Sequence, residues 1–312
     1  MPKSGSGAFP VTWSCRHVHT VPNLRYDIDE GMGDFLSPKA LRLLAVEYQG
    51  GLLSRLNDQV KDTQYENLSV FTTIVRTAQD PNQPLAFNMA SQAMNNSFFL
   101  DHLRPPSKYS PSQNHERIMS GRLHLGVDRS FGSLSLLKST LSAAAMGMIS
   151  SGWIWLVTDL QKNLAIIPTY GAGTIIVRAR AQRTPRSGPV IGESTRLSSL
   201  AYSPSFGTPN TLTPTPPASP LSSPSHSSKS SNHANPNQTR SVNTSASGFT
   251  GNLTQVGSVL NPLFCISLHE HAWMTDYGLW GKEEYLKRFW NVLDWEKVSQ
   301  TFDHWNPRID DE

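Results

Sequence analysis

A long low-complexity stretch, residues 182–258, constrains the fold of this chain more than any other feature. It consists mainly of Ser, Thr, Pro, Asn and Gly. Such a segment cannot bury enough apolar surface to offset the entropy that it loses on ordering. Strand-like sequence precedes the stretch and resumes after it. We therefore predict a disordered insertion within one domain, not a linker between two domains.

The basic character of the chain lies in this insertion. The net charge of the whole chain is +3, and the insertion has five basic residues against one acidic residue, a net +4, which leaves −1 for the remainder. The charge balance therefore locates no basic folded face of the kind that indicates nucleic-acid binding. The two cysteines, Cys15 and Cys265, form no disulfide framework, and no apolar run reaches the roughly 20 residues of a membrane-spanning helix.

The first 26 residues contain no Asp or Glu, and they carry Lys3, Arg16 and Arg25 among serines and threonines. This composition is typical of a mitochondrial presequence, and a disordered tail fits it equally well. Both interpretations of residues 1–26 stay open.

Two helical patterns follow, and they predict an N-terminal helical hairpin domain over residues 27–106. The first spans residues 37–60, with Ser37 as the N-cap and Pro38 at the first helical position. Gly50 and Gly51 inside it indicate close packing or a bend. The second spans residues 84–103 and ends before Pro105 and Pro106. Residues 107–128 are predicted to be a linker.

The remainder, residues 129–312, has the pattern of a mixed α/β (α+β) domain that the insertion interrupts. Ser130 and the Leu- and Ala-rich run after it predict a helix over residues 131–148. Short runs rich in β-branched and aromatic residues predict a three-stranded antiparallel sheet, the first two strands forming a hairpin. The strands are expected at 152–158, 163–167 and 264–268, with closing helices at 283–290 and 295–302.

The sequence just after the third strand carries the most specific motif. It reads Ser267-Leu-His-Glu-His271-Ala-Trp-Met-Thr-Asp-Tyr277, followed by Tyr285-Leu-Lys-Arg-Phe-Trp290 and Trp295. This segment resembles the C-terminal signature of the iron/manganese superoxide dismutases. Residues 18–27, 86–100 and 131–167 resemble other segments of the sequences of that family, in the same order along the chain. The resemblance implies the fold of that family.

The resemblance also implies that the metal site is degenerate. The family binds its metal through three His and one Asp, and only one of these ligands is kept, as His271. The other three positions are Leu44, Asn96 and Ser267. The glutamine that tunes the metal-bound solvent is kept as Gln92, whereas the gateway tyrosine is replaced by Leu52 and a tryptophan by His269. One imidazole cannot hold a catalytic metal, so we expect no cofactor and no dismutase activity.

A group of non-enzymatic relatives has the same fold, the fungal mitochondrial small-subunit ribosomal proteins, and the chain resembles them. The resemblance implies a structural role in the mitochondrial matrix, in contact with ribosomal proteins and rRNA and with no membrane. In the dismutases the glutamate at the Glu270 position bridges to the partner subunit. We therefore expect Glu270, His271 and the loop residue Trp280 to form an interface with a paralogous dismutase-like subunit.

Three alternatives remain at this stage. A metalloenzyme with a rearranged site would use His269, His271 and Asp276, the two histidines lying on one side of a strand or its end. A matrix binding module independent of the ribosome is a further possibility. The basic residues that are candidates for rRNA contacts also fit a solvated helix face; they are Lys282, Lys287, Arg288 and Lys297.

Overall fold

The computed structural model describes residues 19–106, 115–178, 180 and 259–307. The whole predicted insertion, residues 182–258, and residues 1–18 of the predicted tail lie outside these ranges. The elements run in the order α1 (Pro38–Arg42), a π-helical turn (Leu43–Tyr48), α2 (Gln49–Val60), α3 (Val70–Thr77), α4 (Pro84–Asp101), a 3-10 helix (His115–Ile118), α5 (Gly121–Phe131), α6 (Leu134–Gly147), β1 (Gly152–Thr158), β2 (Leu164–Tyr170), β3 (Asn261–Ser267), α7 (Glu270–Tyr277), α8 (Lys282–Val292) and α9 (Trp295–Trp305).

The N-terminal half is built on the predicted helical pair. Ser37 caps α1 by accepting from the Ala40 N–H, and Pro38 occupies the first helical position. The first helix is not continuous, because residues 43–48 adopt the π form between α1 and α2. Of the two glycines expected to mark close packing or a bend, Gly50 lies in ordinary contact with Val21, 3.7 Å from a Cβ at that position, whereas a Cβ at Gly51 would meet no atom within 4 Å.

Two helices lie where the sequence predicted none. Helix α3 follows the N-cap Ser69 and packs against α4. Helix α5 occupies much of the range that was predicted to be a linker, and Ser120 caps it. The predicted start of the next helix at Ser130 is wrong, because Gly132 takes a left-handed backbone conformation (φ 83°) and Ser133 is the true cap of α6.

The sheet is the predicted three-stranded antiparallel sheet, in the order β2-β1-β3. β1 and β2 form a hairpin in which Gly152 pairs with Tyr170 and Thr158 with Leu164. Every residue of the central strand β1 is buried. A register shift between Leu156 and Val157 interrupts its pairing with β3.

One continuous apolar core joins the sheet to the helices around it. Its largest fully buried side chains are Trp153, Trp295, Tyr285, Phe35, Phe99, Phe264 and Phe289. Burial of aromatic and aliphatic surface of this kind is the main favourable term in folding. The core brings the end of β3, the start of α7 and the middle of α4 together, and this is where the candidate site lies.

Part of the predicted tail is held against the helices. His19 exchanges backbone hydrogen bonds with the Asn57 side chain, at 3.0 and 3.1 Å, and the Tyr26 hydroxyl donates to the Leu100 carbonyl oxygen at 2.8 Å. The folded region therefore begins before residue 27. Within the described ranges, the helices are too short or too polar to cross a membrane.

Candidate functional site

The three residues at the degenerate ligand positions are all fully buried. Leu44 lies in the π-helical turn, Asn96 in the middle of α4 and Ser267 at the end of β3. An apolar side chain, a neutral amide and a hydroxyl thus occupy the positions that the resemblance gives to two imidazoles and a carboxylate. None of the three is a strong ligand for iron or manganese.

Asn96 is engaged in hydrogen bonds to the protein. Its Nδ2 donates to the Leu44 carbonyl oxygen at 3.1 Å and to Gln49 Oε1 at 2.8 Å. Gln49, itself buried, donates from Nε2 to the Ala93 carbonyl oxygen at 3.1 Å. These hydrogen-bonded amides therefore connect the start of α2 to α4 across the site. Burying an amide is costly unless it is hydrogen-bonded, as these are.

His269 and Gln92 form a second polar connection. Trp153 Nε1 donates to Gln92 Oε1 at 3.1 Å, and Gln92 Nε2 lies 3.4 Å from His269 Nε2, to which it can only donate. Burial, the largest cause, and the neighbouring His271 together lower the pKa of His269 to about 4, against the opposing effects of Glu270 and a backbone hydrogen bond at Gly171. His269 is therefore neutral at physiological pH and acts as a packed polar residue.

His271 packs beneath Tyr48, with ring centroids 4.1 Å apart. Its Nε2 is buried and has no hydrogen-bond partner in the described residues, and burial lowers its pKa. Burial also raises the pKa of Tyr48 to about 12. Tyr48 and Gln49 also line this site and were not among the predicted site residues; their positions four and five residues after Leu44 were the available sequence signal.

The site does not fit a resident metal ion. Among the described residues, the fully buried side-chain polar atoms of this site that lack a hydrogen-bond partner are His271 Nε2 and Asn96 Oδ1, and two donors of which one is an amide oxygen cannot fix iron or manganese. Across the described ranges, no three His, Cys, Asp or Glu side chains are grouped to hold a metal.

The rearranged site also fails to form. Asp276 instead accepts hydrogen bonds from the Ser37 backbone N–H at 2.7 Å and the Ser37 hydroxyl at 2.6 Å. The two histidines, expected on one side of a strand or its end, lie just beyond the end of β3 and not within the strand. His269 is the N-cap of α7 and His271 lies in its first turn, and their rings stack at 5.2 Å.

Glu270 lies beside this site but on the surface. Its carboxylate accepts a 2.5 Å hydrogen bond from the Ser151 hydroxyl. Partial burial raises the pKa of Glu270, but that hydrogen bond, a backbone hydrogen bond and the two adjacent histidines outweigh it, and the net effect lowers the pKa. Glu270 is therefore an ionised, exposed carboxylate held in a fixed direction.

Exposed apolar side chains lie in the two loops next to Glu270. Trp280 is 90% exposed and Ile149 is 99% exposed. The loops that carry them are joined, since Lys282 Nζ donates to the Met148 carbonyl oxygen at 2.6 Å. We define the Glu270 face as Glu270, Ser151, Ile149 and Trp280. Apolar groups beside a fixed charge are typical of a protein interface.

The four candidate rRNA contacts are occupied within the chain. Lys287 pairs with Glu283 at 2.9 Å and Arg288 with Glu284 at 2.7 Å. Lys297 pairs with Asp101, and Lys282 is the donor to the Met148 carbonyl oxygen. These four residues therefore fit solvated or internally paired helix faces better than they fit nucleic-acid contacts.

A fold of this kind, with a helical pair, a three-stranded sheet and remnants of a His-rich site, defines a dismutase-type protein. The family model for iron/manganese superoxide dismutases, C-terminal domain, matches residues 119–186 and 233–301. The chain is 30% identical over 154 residues to a superoxide dismutase [Fe] of Salmonella typhimurium, 72% of which it covers. It belongs to the iron/manganese superoxide dismutase family.

Longer matches are found to two other proteins. The chain is 24% identical over 286 residues to the small ribosomal subunit protein mS43 of Schizosaccharomyces pombe, covering 92% of this chain and 85% of that protein. It is 24% identical over 276 residues to mS42 of the same organism, covering 88% and 92% respectively. The match to the Salmonella dismutase spans 49% of this chain.

Proposed function

We propose that the chain is a structural protein of the mitochondrial small ribosomal subunit, located in the matrix, and that it has no dismutase activity. The observation that carries this proposal is the combination of near full-length similarity to two small ribosomal subunit proteins with a buried Leu44 and a hydrogen-bonded Asn96 where metal ligands are expected. Because protein contacts fill the positions of the metal ligands, the role that remains for this fold is binding through its surface.

The Glu270 face is the proposed docking site for a paralogous dismutase-like subunit. In the dismutases, the glutamate at this position bridges to the partner subunit. Here the carboxylate is fixed by Ser151 and flanked by the exposed Trp280. A large aromatic side chain next to a fixed charge is typical of the residues that contribute most to binding.

Sedimentation tests the assignment. Tagged full-length chain in mitochondria of its source organism is expected to migrate with the small ribosomal subunit on a sucrose gradient at moderate salt. Glu270→Lys is expected to reduce this co-migration, whereas the matched control Asp58→Lys, an exposed carboxylate on α2, keeps it. Wild-type chain that stays at the top of the gradient would contradict the assignment and favour an independent matrix protein.

A further inference from the structure

A cleft lies at the end of the sheet remote from Glu270. It has a volume of about 480 Å³ and is bounded by α5, α9 and the turn between β1 and β2. Gly126 on α5 forms its floor against Phe302 on α9, since a Cβ at Gly126 would lie only 3.3 Å from the Phe302 ring. The absence of a side chain at residue 126 thus keeps the two helices close and the cleft open above them.

Cations surround this cleft. Arg122 and Arg129 lie seven residues apart, on one face of α5, and Lys162 comes from the β-turn. Two carboxylates lie near the cleft: Asp303 forms an ion pair with Arg122 at 2.7 Å, and Asp128 Oδ2 lies within hydrogen-bond distance of His124 Nδ1, at 3.0 Å. Arg129 and Lys162 have no ion pair within residues 19–106, 115–178, 180 and 259–307.

Lys162 is held at the cleft by an unusual backbone. Its φ is +66°, a left-handed conformation that glycine and asparagine adopt more readily than lysine. The turn is fixed by the Asp159 carboxylate, which accepts from the backbone N–H groups of Gln161 and Asn163 at 2.9 and 2.8 Å. A long cationic side chain at a position that disfavours it is consistent with a role for its charge.

We propose that this cleft, the Arg129–Lys162 cleft, binds the phosphate backbone of ribosomal RNA. A planar guanidinium and an ammonium without internal partners are suited to phosphate oxygens. The strand β1 spans seven residues from the Glu270 end of the sheet to this end, a length of about 20 Å. The Glu270 face and the cleft therefore lie at opposite ends of the sheet. The inference rests on the proposed ribosomal function.

The first test measures RNA binding by the free full-length chain. Fluorescence anisotropy with a labelled RNA duplex over a salt series gives the slope of log K against log salt concentration. The double substitution Arg129→Gln/Lys162→Gln is expected to reduce the magnitude of this negative slope by about 1 to 2, since each phosphate contact contributes about one. The control Arg55→Gln/Lys61→Gln removes two exposed cations from α2 and its end, and it keeps the wild-type slope. Equal slopes for both double variants would overturn the proposal.

The second test asks what lies against the cleft in the ribosome. Leu125, 70% exposed at the rim, is replaced by a photoreactive benzoylphenylalanine. In chains that sediment with the small subunit, we expect a cross-link that ribonuclease removes. A cross-link to protein, or none, would refute RNA binding at this cleft while leaving the ribosomal assignment intact. Failure to sediment with the subunit refutes the assignment instead, and the anisotropy result still decides whether the cleft binds RNA.

Discussion

The Asn96 side chain donates a hydrogen bond to the Leu44 carbonyl oxygen, so that two former ligand positions are bonded to each other. Asn96→Ala removes this bond and the one to Gln49, and it deprives the buried Gln49 Oε1 of this donor. We expect a loss of about 2 to 3 kcal/mol in the free energy of unfolding, measured by urea denaturation. Gln59→Ala, an exposed substitution on α2, is the control. A loss below about 0.5 kcal/mol at Asn96 would show that the amide chain is not structural.

Metal content is the most direct test of the degenerate site. Purified wild-type protein is expected to contain well below one equivalent of iron or manganese by elemental analysis and to show no dismutase activity. The reason is that Leu44 cannot ligate and the Asn96 amide is bonded to Gln49. Restoring the ligand types with Leu44→His/Asn96→His/Ser267→Asp adds donors, and gain of metal by this variant alone would confirm the position of the site. Stoichiometric metal with activity in the wild type would contradict the proposed function.

Stability is expected to fall in acid because of two buried histidines. Burial lowers the pKa of His269 and of His102 to about 4, His102 also being depressed by Lys297. Between pH 6.5 and 4 the unfolded chain binds protons at these residues that the folded chain does not. The free energy of unfolding therefore declines as the pH falls through this window, by about 3 kcal/mol per histidine at its lower end.

Substitution separates this effect from general acid denaturation. In urea titrations from pH 7 to 4, His269→Gln is expected to give a shallower decline than wild type. His304→Gln changes an exposed histidine on α9 and serves as the control. Parallel curves for wild type and His269→Gln would mean that the His269 ring does not stay neutral in the fold.

Trp280 offers a test that separates binding from folding. Because it is 90% exposed, Trp280→Ala is expected to change the free energy of unfolding by less than about 0.5 kcal/mol. Affinity for the paralogous subunit, measured by titration calorimetry, is expected to fall at least about 30-fold, the effect of removing a 2 kcal/mol contact. Phe71→Ala, 52% exposed on α3, is expected to keep the affinity. Loss of affinity in both variants, or in neither, would count against the Glu270 face as the docking site.

Two glycines are expected to respond in opposite ways to alanine. At Gly152 a Cβ would lie 2.2 Å from the Thr169 carbonyl oxygen, so the β1–β2 pairing has to shift and we expect a loss of about 3 kcal/mol or more. At Gly51 no atom lies within 4 Å, so the higher helix propensity of alanine is expected to stabilise the fold by about 0.5 to 1 kcal/mol. Thermal unfolding of the two variants measures both, and stabilisation by Gly152→Ala would show that the hairpin register differs from the one described.

The helical pair and the sheet were predictable because local signals agree there. Ser37 and Pro38 mark a helix start, and the apolar, β-branched run of residues 152–158 marks a buried strand. Helices α3 and α5 were missed because their own helix propensity is low: α3 is rich in β-branched residues, and α5 contains Gly121 and Gly126. Contacts with α4 and α9 therefore help to stabilise them. The break at Gly132 was missed because two serines, Ser130 and Ser133, are both possible caps.

The site was predictable only in part. Motif spacing located Leu44, Asn96 and Ser267, which the structure describes as buried residues. The contacts that replace metal ligation could not be predicted, because they depend on the π-helical turn, and the turn has no sequence signal of its own. The turn brings Tyr48 onto the ring of His271 and Gln49 within hydrogen-bond reach of Asn96.

The central strand sets a fixed spacing between two surfaces. β1 is buried along its whole length and hydrogen-bonded to a neighbouring strand on each edge. Removing one residue would turn every following side chain to the opposite side of the sheet. β1 therefore fixes the distance between the Glu270 face at one end of the sheet and the Arg129–Lys162 cleft at the other. Insertions in surface loops leave this distance unchanged, whereas an insertion or deletion within β1 changes it.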